Sequence, residues 1–233
     1  MDNLVPVVVP AAGSGQRMRQ RLPKQYTPLR GRTVIDWTLD ALLRHAGIGP
    51  VVVSLAATDD RFRTLPASRD PRVSIVTGGA TRAESVLRGL QALQRAGWGA
   101  EAWVAVHDAA RPCLRQADLD ALLAGCAGDG AILGWPVADS LKRLGPDGQP
   151  RVLDRTGVWV AATPQVFQLG KLARALLSAG TARAVVTDEA SAIEWLDDQA
   201  DIRLIEGCPD NIKITRPQDL PLAEAVLSLE RGR

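Results

Sequence analysis

Short apolar runs alternate with amphipathic stretches along most of the chain. The segments LVPVVVP, PVVVSLAA, VSIVTGG and AWVAVHD are nearly continuous apolar runs bounded by turn residues, as is typical of buried parallel strands. Between them, TVIDWTLDALLRHA and TRAESVLRGLQALQRAG carry apolar residues at helical spacing. The pattern predicts an α/β fold with a doubly wound, mostly parallel open sheet of the Rossmann-like kind, whose right-handed crossovers cover both faces.

The second half continues this alternation with one interruption. It offers the helix QADLDALLAGCAG, the strands AILGWPV, VWVAATPQVF and IRLIEG, and a last helix opened by TRPQDL with Pro217 in its first turn. Between the first two of these strands, residues 138–157 hold two short polar, alternating segments around a PDGQP turn. We expect a projecting β-hairpin there, called the arm below, on a single domain that spans residues 1–233.

Composition and charge narrow the classes of function. Hydrophobic residues make up 46% of the 233 residues and charged residues 23%, which is ordinary globular composition. A net charge of +2 argues against the broad cationic face that binds nucleic acid. Cys113, Cys126 and Cys208 lie far apart without a CxxC pair, which argues against disulfide and zinc frameworks. No run approaches eighteen apolar residues, so we expect a cytoplasmic protein without a membrane partner.

The loop after the first strand combines glycines with several cations. Glycine lets backbone N–H groups turn toward an anion, so a phosphate is the natural ligand. The spacing fits neither a Walker A motif nor a dinucleotide fingerprint, because Gly13-x-Gly15-x-x-Met18 lacks the third glycine. Arg17 and Lys24 flank the turn and could grip a polyphosphate. Taken alone, the segment also fits a solvated basic loop.

Further polar residues are predicted at the same edge of the sheet. The segment VHDAARP ends the fourth strand with Asp108 and Arg111, which suit Mg²⁺ or a sugar hydroxyl and a phosphate, respectively. A turn-capping role for Asp108 stays open. Lys213 sits between Ile212 and Ile214 in an apolar run that we interpret as a strand. It faces the interior next to an anion or, by strand alternation, faces solvent.

The chain resembles a known enzyme family in seven ordered regions: PAAGSGQRM with PKQY, GG followed by RAESV, VHDAARP, DRTGVW, TPQVF, TDEASAIE and NIKITRPQDL. They are similar to the motifs of the 2-C-methyl-D-erythritol 4-phosphate cytidylyltransferases of non-mevalonate isoprenoid biosynthesis, and the resemblance spans residues 5–226. It implies a nucleotidyltransferase that converts CTP and methylerythritol phosphate to the CDP-alcohol and pyrophosphate. It also implies Mg²⁺, which bridges triphosphate oxygens.

The resemblance assigns catalytic and nucleotide-binding roles by position. Arg17 and Lys24 would stabilise the transition state, and Arg155 and Lys213 would hold the phosphate of the second substrate. Relatives often carry Asp at position 80, so Ala80 is a departure that matters for cytosine selectivity if the contact there is made by the side chain. The implied nucleotide-binding residues are Pro10, Ala11, Ala12, Gly13, Ser14, Gly15, Gly79, Ala80 and Ser85.

The resemblance also implies a homodimer with exchanged arms. The arm would embrace the other subunit and deliver Arg155 and Ser140 across the interface; relatives often have Thr in place of Ser140. Asp108 would lie beside the ribose, the metal and the substrate as the one nameable metal ligand, with Arg111 as its support. The remaining implied substrate-binding residues are Thr163, Thr187 and Asp188.

Three other functions compete with this interpretation. A ribitol or ribulose 5-phosphate cytidylyltransferase shares the fold and CTP, although NIKITRP and TDEASAIE favour methylerythritol phosphate. A nicotinamide-dependent oxidoreductase predicts an acidic residue that closes the second strand, where SLAATDD offers Asp59 and Asp60. A non-catalytic nucleotide-binding module would not need Arg17, Lys24 and Lys213 together.

Overall fold

A computed structural model describes residues 4–13 and 22–231. Its strands are β1 (Val5–Ala11), β2 (Pro28–Leu29), β3 (Arg32–Thr33), β4 (Ile48–Leu55), β5 (Val73–Thr77), β6 (Trp103–Val106), β7 (Gly130–Pro136), β8 (Leu141–Leu144), β9 (Pro150–Leu153), β10 (Trp159–Gln168) and β11 (Ile202–Glu206). Its α-helices are α1 (Val34–Leu43), α2 (Arg82–Arg95), α3 (Gln116–Gly125), α4 (Leu169–Ala182), α5 (Glu189–Leu196) and α6 (Asp219–Arg231). Short 3-10 turns cover Lys24–Tyr26, Phe62–Thr64 and Pro66–Arg69.

Seven strands form one sheet in the order β11-β7-β10-β6-β1-β4-β5. Neighbours are parallel except at β10, which runs antiparallel to both β6 and β7. The chain moves outward from β1 through β4 to β5 and then returns to the other side of β1 through β6. This reversal creates a topological switch point between β1 and β6, the place where open α/β sheets bind ligands. The predicted doubly wound, mostly parallel sheet is confirmed.

Helices cover both faces of the sheet because successive strand residues point in opposite directions. On one face, Val7 and Val9 of β1 pack with residues of α1 and α3. On the other face, Val8 packs with residues of α2, α4 and α5. All three valines are fully buried. This double burial explains why the central strands are continuous apolar runs rather than alternating ones.

The C-terminal segment differs from the sequence-based prediction in two places. Residues 211–215, which carry Lys213, form an irregular segment rather than a strand. Ile214 is buried in a small third core cluster with Trp37 of α1 and Val226 of α6, so packing rather than a sheet ladder accounts for its apolar character. Helix α6 begins at Asp219, and Pro217 therefore lies in the turn before it.

The arm is a β-hairpin, as predicted, in which β8 and β9 pair antiparallel. At its base, Val137 N–H donates to the Val158 carbonyl over 3.0 Å. Because β7 and β10 are antiparallel neighbours, the arm leaves the sheet at the edge where the parallel strands end. Leu144 and Val152 on the arm are 70% and 77% exposed. Across residues 4–13 and 22–231, no helix combines the length and apolar character that crossing a membrane requires.

Candidate active site

A cavity of about 390 Å³ opens at the carboxyl edge of the sheet, on the switch point between β1 and β6. We call it the edge cavity. It is built from the ends of β1 and β6, the turn after the opening loop, the start of α2 and the segment before α6. Its described lining consists of residues 10–13, 24–25, 79–82 and 108–110 together with Ser85, Lys213 and Thr215.

The loop between β5 and α2 is fixed by hydrogen bonds to its own helix. Gly79 N–H donates to the Ser85 hydroxyl over 3.1 Å, and Ala80 N–H donates to the Glu84 carboxylate over 2.7 Å. Thr81 is the N-cap of α2 and accepts the Glu84 N–H. A Cβ at Gly79 would collide with the Glu84 side chain, so the close approach requires glycine there. These hydrogen bonds fix the conformation of the loop, and the Ala80 N–H already donates to a protein acceptor.

Lys24 is the first residue of the 3-10 turn Lys24–Tyr26, which hydrogen bonds fix in place. Its Nζ lies in the cavity wall and donates to the Ile214 carbonyl over 3.3 Å. The neighbouring Gln25 is buried and donates from Nε2 to the Ala11 carbonyl at the end of β1 over 2.8 Å. The turn is therefore tied to the end of β1, and Lys24 lines the cavity together with residues 10–13.

Asp59, one of the two acidic residues that an oxidoreductase could use for ribose binding, has a structural role instead. Asp59 Oδ2 accepts the Tyr26 hydroxyl over 2.6 Å, and Asp59 Oδ1 accepts the N–H groups of Arg61 and Phe62. Burial raises the pKa of the Tyr26 phenol, and the hydrogen bond to Asp59 raises that pKa further. Both carboxylate oxygens of Asp59 are thus engaged, Oδ2 with Tyr26 in the turn of Lys24 and Oδ1 with the backbone that follows Asp59, and the residue is not part of the described cavity lining. This arrangement argues against the nicotinamide hypothesis.

Asp108 is the centre of charge in the edge cavity. Its Oδ1 accepts from Arg82 Nε over 3.0 Å, its Oδ2 accepts from Lys213 Nζ over 2.7 Å, and Arg111 Nε lies 3.5 Å from Oδ2. Burial alone would raise the pKa of Asp108, but these three cations hold that pKa well below its usual range. The carboxylate is therefore ionised at neutral pH, and of the two alternatives for Lys213 the structure shows the one with an anionic partner.

A buried histidine fixes the backbone around Asp108. His107 Nε2 lies 3.2 Å from the Arg111 carbonyl, which can only accept, so Nε2 carries the proton. Nδ1 then accepts a hydrogen bond from the Thr163 hydroxyl over 3.1 Å, and Thr163 Oγ1 in turn accepts the Asp108 N–H over 3.0 Å. Burial lowers the pKa of His107 to about 4. The neutral ring thus holds the turn that presents Asp108.

The segment of Lys213 is attached to this turn by buried hydrogen bonds. Arg111 Nη1 donates to the Asn211 carbonyl over 2.6 Å, and Asn211 Nδ2 donates to the Thr163 carbonyl over 2.8 Å. Ile214 N–H donates to the Ala110 carbonyl over 2.8 Å. Arg111 is buried and bonds to the protein itself beside Asp108; its role in substrate binding stays a prediction.

Like Arg111, three other predicted substrate-binding residues do not belong to the described lining. Thr163 is buried behind Asp108. Asp188 is the N-cap of α5, where it accepts the Ser191 N–H and a hydrogen bond from Gln165 Nε2. Thr187 is exposed and donates its N–H to the Ser191 hydroxyl. Contact of these residues with substrate remains a prediction.

The arm residues lie apart from the cavity lining of their own chain. Ser140 and Arg155 are both exposed, and Arg155 Nη1 donates to the Val137 carbonyl over 3.3 Å. Their predicted delivery to a second subunit stays a prediction. Ser14, Gly15 and Arg17 lie outside the described residues.

Sequence reasoning missed an ion pair at the back of the cavity. Arg82 contacts Glu189 through Nη1 and Nη2, over 2.6 and 3.0 Å, while its Nε contacts Asp108. Both residues belong to motifs quoted above, RAESV and TDEASAIE, but 107 positions separate them and no local pattern links them. The lining residues Gln25 and Thr215 were missed as well.

The described residues contain no cluster of three or more His, Cys, Asp or Glu side chains that could hold a metal ion. Asp108 is the acidic residue among the described lining residues. A carboxylate offers about four acceptor sites, and Mg²⁺ at nucleotide sites often takes only one or two protein carboxylates, with phosphate oxygens and water as its other ligands. The donor set therefore suits a magnesium ion that enters together with a triphosphate.

Comparison with known proteins gives a consistent result over nearly the whole chain. The family model for 2-C-methyl-D-erythritol 4-phosphate cytidylyltransferase matches residues 5–229. The protein of that name from Ectopseudomonas mendocina (strain ymp) is 49% identical over 231 residues, 97% of each chain, and that from Pseudomonas fluorescens (strain SBW25) is 50% identical over 216 residues, 91% of each chain.

Solved structures agree with the sequence relatives. A crystal structure of 4-diphosphocytidyl-2C-methyl-D-erythritol synthase matches with a TM-score of 0.83 at 36% identity and covers 97% of this chain and 100% of the other. The 2-C-methyl-D-erythritol 4-phosphate cytidylyltransferase from Thermus thermophilus matches with a TM-score of 0.78 at 31% identity, covering 97% and 99% of the two chains.

Proposed function

The chain belongs to the 2-C-methyl-D-erythritol 4-phosphate cytidylyltransferase family, and we propose that the edge cavity is its active site. The reaction transfers the cytidylyl group of CTP to 2-C-methyl-D-erythritol 4-phosphate in non-mevalonate isoprenoid biosynthesis. It yields 4-diphosphocytidyl-2-C-methyl-D-erythritol and pyrophosphate. We expect it to take place in the cytoplasm, where CTP is available.

The chemistry requires alignment and charge stabilisation more than acid–base catalysis. A phosphate oxygen of methylerythritol phosphate attacks the α-phosphorus of CTP, the bond from that phosphorus to the bridging oxygen breaks, and pyrophosphate leaves. A phosphate monoester is already largely dianionic at pH 7, so the nucleophile needs no general base. Positioned cations then supply most of the rate by holding the two anionic substrates in line and neutralising the charge that develops.

One observation carries the assignment: three cationic side chains and an ionised carboxylate converge on a cavity that begins at the glycine-containing end of β1. Lys24 and Lys213 line the cavity from two segments far apart in sequence, while Arg82, at the start of α2, pairs with the Asp108 carboxylate. Residues 10–13 and the fixed loop at Gly79 supply uncharged lining. Such an arrangement suits a base and ribose on the uncharged side and phosphates on the cationic side.

Magnesium belongs to this proposal as a companion of the triphosphate. When bound, the ion neutralises charge on the phosphate oxygens. In this chain, Asp108 is the residue that would hold it, and Lys213, Arg82 and Arg111 would keep that carboxylate ionised and oriented. Lys24 would contact the phosphates directly, beside Arg17, which lies outside the described residues.

A homodimer with exchanged arms completes the proposal. The support is that the arm buries little of its own apolar surface, with Leu144 and Val152 70% and 77% exposed, and that two-stranded hairpins are marginal in water. Packing against a two-fold mate would cover these side chains and carry Arg155 and Ser140 to the other subunit's cavity. Arg155 would then hold the methylerythritol phosphate group together with Lys213.

Pyrophosphate release tests the function. The enzyme should release pyrophosphate with CTP and methylerythritol phosphate in the presence of Mg²⁺, and much less with ATP, GTP or UTP. Ribitol 5-phosphate as the second substrate should support little turnover. A preference for ribitol 5-phosphate would favour the alternative cytidylyltransferase, and release with every nucleoside triphosphate would contradict selective binding of cytosine at Gly79 and Ser85.

A further inference from the structure

Arg82 joins two carboxylates that belong to different parts of the fold. Its Nε donates to Asp108 Oδ1 over 3.0 Å, and its two terminal nitrogens donate to the two oxygens of Glu189 over 2.6 and 3.0 Å. Only a planar guanidinium offers donors in this forked arrangement, because a lysine ammonium is a single point of charge. The start of α2, the turn after β6 and the start of α5 therefore meet at one side chain.

Glu189 cannot reach a substrate. Its side chain is 0% exposed, and it is the first residue of α5, directly after the N-cap Asp188. The position is rigid, because Gln165 of β10 accepts the Ala190 N–H over 2.9 Å and donates to Asp188 over 2.9 Å. Burial raises the pKa of Glu189, and the Arg82 guanidinium acts against this rise. A buried carboxylate is costly to keep, and it contributes little net stability even when paired.

The contact with Arg82 indicates why a buried carboxylate is present at Glu189. Arg82 lines the edge cavity, where an unrestrained guanidinium would bind phosphate. The bidentate contact with Glu189 instead holds the guanidinium against the back wall, so its Nε points at Asp108. Asp108 in turn pairs with Lys213 over 2.7 Å. The orientation of the cavity's carboxylate and of its lysine therefore depends on a residue that no ligand touches.

We infer that Glu189 is a positioning residue for nucleotidyl transfer, which acts through Arg82 to fix the Asp108 carboxylate and keep the guanidinium out of the phosphate site. This inference rests on the proposed function of the edge cavity. It assigns to the TDEASAIE segment a role that the exposed Thr187 and the helix-capping Asp188 do not provide.

The first test replaces the charge but not the shape of Glu189. Glu189→Gln should lower kcat by about tenfold or more, the lower range for loss of one preorganised electrostatic contact. It should leave KM for CTP unchanged or lower, because a released Arg82 can bind phosphate without aligning it. Glu194→Gln, on the exposed side of the same helix, is the matched control and should behave as wild type. A wild-type kcat in Glu189→Gln, or a raised KM for CTP at constant kcat, overturns the inference.

A double-mutant cycle separates positioning from general damage. If Glu189 acts through Asp108, adding Glu189→Gln to Asp108→Asn should change kcat by less than twofold, whereas independent effects would multiply. Arg82→Lys supplies a second route if Glu189→Gln does not fold. It retains a cation beside Glu189 but cannot contact both carboxylates, so it should lose at least as much kcat; full activity in Arg82→Lys also overturns the inference. Inactivity of the wild-type enzyme itself would instead contradict the proposed function.

Discussion

The edge cavity and the arm are stabilised by different kinds of contact. At the cavity, Asp108 has three cationic neighbours and lies on a turn tied down by His107 and Thr163. On the arm, Arg155 is exposed, and a bond to the neighbouring backbone is its described contact. The cavity is held by contacts within the chain, whereas the arm is a formed hairpin whose side chains Leu144 and Val152 are largely exposed. Asp108 and Arg155 have predicted roles in one reaction, but Asp108 is positioned by contacts in the sheet domain, whereas Arg155 lies on an exposed hairpin.

The largest expected effect concerns the lysines of the cavity. Lys24→Ala and Lys213→Ala should each lower kcat about a hundredfold or more, the scale for losing one preorganised stabiliser of transition-state charge. Pyrophosphate release at saturating CTP measures this. Arg95→Ala, an exposed cation on α2, should keep wild-type turnover, and circular dichroism should show all three variants folded. Near-wild-type turnover in both lysine variants would show that the edge cavity is not the active site.

The second prediction tests whether the cavity is arranged in advance, through its buried histidine. The folded-state pKa of His107 is about 4, below the ordinary value of 6.5. As pH falls from 6.5 to 4, His107 is therefore protonated in the unfolded state but not in the folded state, so the free energy of unfolding declines. The difference between the two pKa values corresponds to a loss of about 3 kcal/mol in that free energy.

Urea unfolding at several pH values measures this decline. His107→Gln should flatten the curve between pH 6.5 and 4 whatever its effect on absolute stability, whereas His45→Gln, with its partner Asp120 at the surface, should leave the decline in place. An unchanged slope in His107→Gln would assign the pH dependence to other groups.

The third prediction tests the dependence of the arm on a second chain. If each arm serves the other subunit, mixing Arg155→Ala chains with Lys24→Ala chains gives heterodimers with one intact site and one doubly defective site. Random reassociation makes about half of the dimers mixed, so roughly a quarter of wild-type activity should return. Native mass spectrometry verifies subunit exchange. No recovery after verified exchange would place Arg155 in its own subunit's site or outside the reaction.

The smallest effect is expected on the apolar face of the arm. Val152→Ser should alter the chain's own unfolding free energy by no more than about 0.5 kcal/mol, as is usual for exposed positions. It should nevertheless shift the dimer toward monomer in sedimentation equilibrium. Val185→Ser, at a position that is 94% exposed and lies outside the arm, is the control. Unaltered association in Val152→Ser would mean that the partner packs elsewhere.

The sequence predicted those parts of the site that follow from strand ends. Asp108 and residues 10–13 converge because parallel strands end at one edge, and apolar runs reveal such strands directly. Thr163 illustrates the limit of this reasoning, because its position in the antiparallel β10 turns its hydroxyl to His107. Glu189 shows a second limit, since a charged residue at a helix start normally suggests solvent, and burial arises only from tertiary packing.

The connection at the base of the arm has a consequence for how such enzymes can diverge. Since β7 and β10 are direct antiparallel neighbours, whose pairing shifts register once between Ala161 and Gln165, the 20 residues between Val137 and Val158 are an insertion at a hairpin turn. An insertion of this kind can lengthen, shorten or change its composition without displacing any strand of the sheet. Lineages could therefore exchange the arm, which is proposed to contact the alcohol phosphate, while inheriting unaltered the edge that is proposed to bind the nucleotide. A recombinant chain that carries a relative's arm on this sheet would be the natural unit in which new acceptor preferences are built.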